Sequence, residues 1–200
     1  MAMRMTWTRL FFIFLIGFGA FHYLTQREIV HGPGVLVAEE PYQRSLGSAA
    51  TQTINDFQVT PLARFSIRAR VLASKDYYFG READLSPVDL ALGWGRMSDE
   101  TVLQNINISQ AGRFYYWRVN AFPIPREEIE SHSANMHMIP ADANVKKALQ
   151  NIRVGNVVQL HGYLVEARTA DGWRWKSSLT RDDTGYGACE LVLVESIEVS

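Results

Sequence analysis

Glu127, Glu128, Glu130, His132 and His137 crowd one short stretch, and imidazole with carboxylate is a donor set that suits a divalent ion. The spacing argues against a helical metal motif. His132 and His137 lie five residues apart, on different faces of a helix and on opposite faces of a strand. They are weak metal candidates, no cofactor is expected, and a charged turn leading into Asn135, Met136 and His137 is the commoner meaning of such a run. Cys189, the single cysteine, becomes a nucleophile only if His137 or His161 meets it as a base, because the thiolate is the reacting form. Between Ala188 and a strand-like run it reads more simply as a small buried thiol. One cysteine also excludes a disulfide framework and a thiolate metal cluster within the chain.

Three other groups of residues suit binding better than catalysis. The run from Ser177 to Gly187 (SSLTRDDTGYG) makes Ser177, Arg181, Asp182 and Asp183 candidate ligand-binding residues, although Asp and Gly also serve plain turn geometry in such loops. Trp94 and Arg96 join them, because glycines on both sides of Trp94 leave its ring poorly shielded, as for a partner contact or a lid. Aromatic and basic residues interleave from Arg113 to Arg118 and from Trp173 to Lys176, as in stacking platforms. In the second run Trp173 and Trp175 share a face opposite Arg174 and Lys176, which is the alternation of a half-buried strand.

The elements that must position these residues are mostly strands. Phe65, Ile67, Ala69 and Val71 alternate with Ser66, Arg68 and Arg70, so one face is buried and the other basic. Ser86, Pro87 and Asp89 predict a short helix ending at Gly93, and a second is expected from Asp99 to Asn105. Arg113 to Val119 predicts an aromatic strand. Asp142 is a good N-cap for a helix over Ala143 to Ile152, with Val145, Ala148, Leu149 and Ile152 on one face. Three strands, Val157 to Ala167, Trp173 to Leu179 and Glu190 to Val199, close the chain. This order, with one helix between strands, resembles small barrels of the oligonucleotide/oligosaccharide-binding (OB) type, and the resemblance is one of element order over Phe65 to Val199. An irregular antiparallel sheet with helices on one face is the alternative, and the long insertion from Asp76 to Gly112 favours it.

Ahead of this β-rich α+β domain, Arg4 and Arg9 precede an uncharged run, Leu10 to Leu24, of about 15 residues. It is short for the roughly 20 residues that span a bilayer, so an uncleaved anchor and a signal segment both fit. Gly17 and Gly19 match a cleavage site poorly, which favours the anchor. The arginines place residues 1–9 in the cytoplasm, residues 10–24 in the inner membrane and the rest in the periplasm of a Gram-negative type of cell; the alternative is a soluble periplasmic protein after cleavage. Residues 25–56, rich in Ser, Ala, Thr and Gln, are expected as an entry segment and linker or an ordered surface loop, and residues 57–200 as the domain. With 20 basic and 21 acidic residues the field offers no reason to expect nucleic acid. The function expected is a non-catalytic binding or assembly module with an envelope protein partner. An envelope enzyme of hydrolase type, or a domain binding a saccharide or small ligand, is the alternative.

Overall fold

The computed structural model describes residues 7–25, 27–180 and 189–200. Helix α1 (Trp7–Thr25) leads into a β-rich α+β domain with strands β1 (Tyr42–Ser45), β2 (Gln52–Ile54), β3 (Phe57–Asp76), β4 (Val88–Gly93), β5 (Ile106–Ala111), β6 (Phe114–Val119), β7 (Ser133–Pro140), β8 (Val157–Arg168), β9 (Arg174–Lys176) and β10 (Glu190–Val199). Its helices are short: α2 (Arg81–Leu85), α3 (Glu100–Leu103), α4 (Arg126–Ser131) and α5 (Ala143–Gln150).

Strand β3 runs antiparallel to β4, and β4 to β7. Strand β7 runs parallel to β10, β10 antiparallel to β8, and β8 pairs back with β3. Phe65, Ile67, Ala69 and Val71 of β3 then share a core with Val88, Leu90 and Leu92, Met136 and Met138, Leu160 and Leu164, and Val192 and Val194. The period of two read in β3 holds, because every second residue meets this core. Helix α5 adds Val145 and Leu149, with Ile152 just beyond it, and its Asp142 cap accepts from the backbone N–H of Asn144 and Val145.

Residues 88–93 are not the expected helix. They form β4, buried at every position, and the helical turn precedes them as α2. Pro87 holds Ser86 extended, at φ −121° and ψ 88°, and the apolar period of Val88, Leu90 and Leu92 is two, so flanking β3 and β7 settle the strand. The basic face of β3 also has an exception, since Arg70 is 2 % exposed.

Arg70 is buried because the segment read as a linker is packed onto the domain. The backbone N–H of Ile29 donates to the Val154 carbonyl, and those of Leu36 and Val37 donate to Ser98 Oγ. His31 meets both ends of the contact: its N–H donates to Glu100 Oε2 and its Nε2 lies 2.7 Å from the Gly155 carbonyl oxygen. Gly155 has φ 90°, and a side chain there would collide with the Ile29 carbonyl, so glycine is required twice over. Beneath this strap Arg70 Nη2 bonds Glu100 Oε2 at 2.5 Å. Residues 42–45 and 52–54 then pair with β3 as β1 and β2.

Among the described residues no helix is long and apolar enough to cross a membrane. Helix α1 nonetheless leaves Leu10, Phe11, Phe12, Ile13, Phe14, Leu15, Ile16 and Phe18 exposed, positions that run around its whole circumference.

Burial raises the Glu100 carboxyl, but Arg70 and the His31 N–H outweigh it and hold the group below the usual glutamate range. A lowered folded pKa means stability that is present above the ordinary glutamate value and is lost as pH falls through the folded one. Arg70→Ala should therefore cost about 3–5 kcal/mol in urea unfolding at neutral pH, since it strands a buried carboxylate, and Glu100→Gln should flatten the acid limb of the stability curve.

Candidate binding cleft beside the β-hairpin

Strands β5 and β6 form a hairpin laid over the outer face of β4 and β7. Gly112 (φ 57°) and Arg113 (φ 70°) make its two-residue turn, and both positive values are those of the type I′ turn that matches strand twist. Arginine in the left-handed region costs on the order of 1 kcal/mol. Its side chain offsets that cost: Nη1 bonds Asp89 Oδ1 at 2.7 Å and the Ser86 carbonyl at 2.9 Å, and the guanidinium lies 3.7 Å from the centre of the Tyr77 ring.

Asp89 is wholly buried and also faces His137, whose Nδ1 is 2.9 Å away but not aligned for a hydrogen bond. The His137 ring packs on Trp175, centroids 4.7 Å apart. The outward residues of β7 continue this polar column. Asn135 Nδ2 donates to the Arg113 carbonyl while Gln110 Nε2 donates to Asn135 Oδ1, and the Tyr115 and Ser133 hydroxyls meet at 2.6 Å. Burial pushes the Tyr115 phenol up to about 12, the Ser133 hydrogen bond partly opposing it. Trp117 and Val119 join Tyr115 on the apolar side of the hairpin, against Leu72, Ala91, Met97, Ile124 and Ile129.

Between this hairpin and the strands of the main sheet lies a cleft of about 590 Å³. All of Phe114 to Val119 line one wall; Trp94, Ser133, Ala134, Asn135, Cys189 and Glu190 line the other, with Phe122 and Arg126 at the rim. Tyr116 and Phe122 are each more than half exposed. Arg126 pairs with Glu130, whereas Arg118 is exposed and has no ion pair among the described residues. Among the described residues the lining offers aromatic and apolar surface, the polar side chains of Ser133 and Asn135, and the exposed guanidinium of Arg118.

The residues read from sequence scatter around this cleft. Trp94 lines it but is 1 % exposed, with Nε1 donating to Glu40 Oε2, so the ring is shielded rather than bare. Arg96 is held in a two-pronged pair by Glu128. Ser177 is buried, donating to the Ser178 carbonyl and accepting from the Leu191 N–H, which ties the end of β9 to β10. Arg181, Asp182 and Asp183 lie outside the described residues. His132 sits against Ser131 and Glu40, away from His137 against Asp89, and among the described residues no three His, Cys, Asp or Glu side chains gather as for a metal. Cys189 Sγ is 3.9 Å from Asn135 Nδ2. The sequence reading named the Arg113 to Arg118 run, which includes Tyr116, as a stacking platform, and that run lines the cleft; it did not single out Phe122, Ser133 or Asn135, and the signal available for the hairpin was the Gly112-Arg113 turn between two strand-like runs.

Comparison with protein-family models, with curated proteins and with solved structures finds no match to this chain.

Arg113→Gly removes the left-handed strain yet should destabilise the domain by about 2–4 kcal/mol in urea unfolding, because Asp89 is left as a buried charge without its cation. For Tyr115, a folded pKa raised above the unfolded value means stability that is full below about pH 10 and falls as pH rises towards about 12. Ultraviolet titration should find a phenol that ionises last, near pH 12, and that is absent in Tyr115→Phe.

Proposed function

We propose that this chain is a membrane-anchored, extracytoplasmic binding or assembly module of the cell envelope, non-catalytic, with the cleft beside β6 as its binding site. The cleft carries the reading: two half-exposed aromatic rings and a free arginine line it, and the imidazole best placed for catalysis, His137, is instead sealed behind Asp89 and Trp175.

The architecture supports an OB-like small barrel as the scaffold. Its strands pair in the circuit β3, β4, β7, β10, β8, with one parallel contact between β7 and β10, and α5 falls between β7 and β8. In barrels of this kind the face of the second and third strands is a common ligand surface, although the fold itself names no ligand. Here that face, on β4 and β7, is covered by the chain's own hairpin, so binding moves to the gap that the hairpin leaves.

The apolar circumference of α1 supports the anchor. At 1.5 Å per residue its 19 residues extend about 28 Å, close to the roughly 30 Å of a bilayer's hydrocarbon core. Ile29 is already docked on the domain, so the domain would ride within about 14 Å of the end of α1.

Alkaline carbonate washing should leave the full-length protein in the membrane pellet and release a Phe14→Arg/Ile16→Arg variant; release of both counts against the anchor. From mild detergent the unaltered protein should carry a stoichiometric membrane partner that Tyr116→Ala/Phe122→Ala loses while its melting temperature stays within a few degrees. An unchanged partner in that variant would remove the cleft as the site.

A further inference from the structure

Six consecutive residues of β6 line the cleft. A strand that presented a face would show it every second residue, so β6 presents its edge. That edge is open: β6 pairs with β5 on one side, and among the described residues no strand pairs with it on the other. The turn decides which backbone groups lie there. Ala111 and Phe114 close a two-residue turn and form a hydrogen-bonded pair, so the pairs alternate from that point. Phe114, Tyr116 and Arg118 direct N–H and C=O to β5, and Tyr115, Trp117 and Val119 direct theirs to the cleft. The result is a ladder of three donor and acceptor pairs, spaced about 7 Å apart.

Resting on the reading of the chain as a binding module, we propose that the cleft takes an extended peptide segment that adds to β6 as a third strand, with an acidic side chain set against Arg118. Strand edges left open invite pairing, and proteins ordinarily blunt them with proline, lysine or inward-pointing charge. The run FYYWRV contains no proline and no lysine, and its one charge, Arg118, points to solvent. Backbone pairing would supply affinity, while the side-chain surroundings would select sequence. Those surroundings are aromatic, from Tyr116 and Phe122, and basic, from Arg118; Arg126 is answered by Glu130, and Glu190 is buried on the main-sheet side. A peptide alternating apolar and acidic residues fits both. A second copy of the chain would bring β5 along with its β6, a broader occupant than one extended peptide.

The test selects a phage-displayed library of random decapeptides on the full-length protein in detergent micelles. Enriched peptides should alternate apolar and acidic residues, and the best of them, synthesised with blocked ends, should slow amide exchange at Tyr115, Trp117 and Val119 and leave Tyr116 and Arg118 as they were. N-methylation of its alternate amides should weaken binding at least tenfold. Arg118→Glu should do the same and recover binding when the peptide's acid is replaced by lysine. No enrichment over a Tyr116→Ala/Phe122→Ala control, or equal binding of the N-methylated peptide, overturns strand addition. If the membrane partner still depends on Tyr116 and Phe122 in that case, the binding module stands and only the strand falls. Slowed exchange at the same three amides without peptide, together with a dimer by sedimentation, would make the occupant a second copy and overturn the peptide.

Discussion

The contact between Arg113 and Asp89 has an unusual cost structure, and the rest of the surface depends on it. Asp89 is an acidic side chain placed without solvent on the outer face of the sheet, beside His137 and in line with Asn135 and Ser133 of β7. Such a group is tolerable only beside a cation and hydrogen-bond donors, and the Arg113 guanidinium at the tip of the β5–β6 hairpin supplies them, with His137 on its other side. The hairpin therefore has one seat. Asn135 and Ser133, further along the same face of β7, repeat the arrangement with neutral groups, bonding the Arg113 carbonyl and the Tyr115 hydroxyl. A hairpin docked by apolar contact alone could slide by two residues with little penalty; one docked by a buried ion pair and two hydrogen-bonded side chains cannot.

A second buried ion pair does similar work at the start of the domain. Arg70 and Glu100 lie beneath the strap of residues 29–37, and Glu100 also accepts the His31 N–H, so the strap closes over a charge pair that would be unfavourable if opened to only one partner. Ser98 and Gly155 complete the attachment, the first by bonding two backbone N–H groups and the second by having no side chain to obstruct Ile29. The chain is thus fastened to the domain within a few residues of the end of α1.

Local signals were readable wherever a single element sufficed. The alternation in β3, the Asp142 cap and apolar stripe of α5, and the inside and outside faces of Trp173 to Lys176 all arise from periodicity and capping. They fail where the environment comes from far along the chain. Ser86-Pro87 looks like a helix start, yet pairing with β3 on one side and β7 on the other makes a strand of Val88 to Gly93. Trp94 looks bare between two glycines, yet Glu40, over fifty residues earlier, caps its indole N–H. The polar stretch before Phe57 has no apolar period because its attachment is made by backbone groups, which composition does not record.

By itself, then, the sequence determined that the chain forms a β-rich α+β domain with one good helix near Ala143 and that an apolar segment precedes it, whereas the structure extends that domain back to the strap and strands of residues 29–54. Those properties depend on neighbours within a turn or two of the chain, where spacing and side-chain type are enough. The tertiary structure decided the register of the main-sheet strands, the burial of Arg70 and Asp89, and the cleft. Each needs groups far apart in the chain to meet, as the Arg113 side chain meets Asp89 and the His31 backbone N–H meets Glu100, and no local pattern encodes which distant partner neutralises a buried charge.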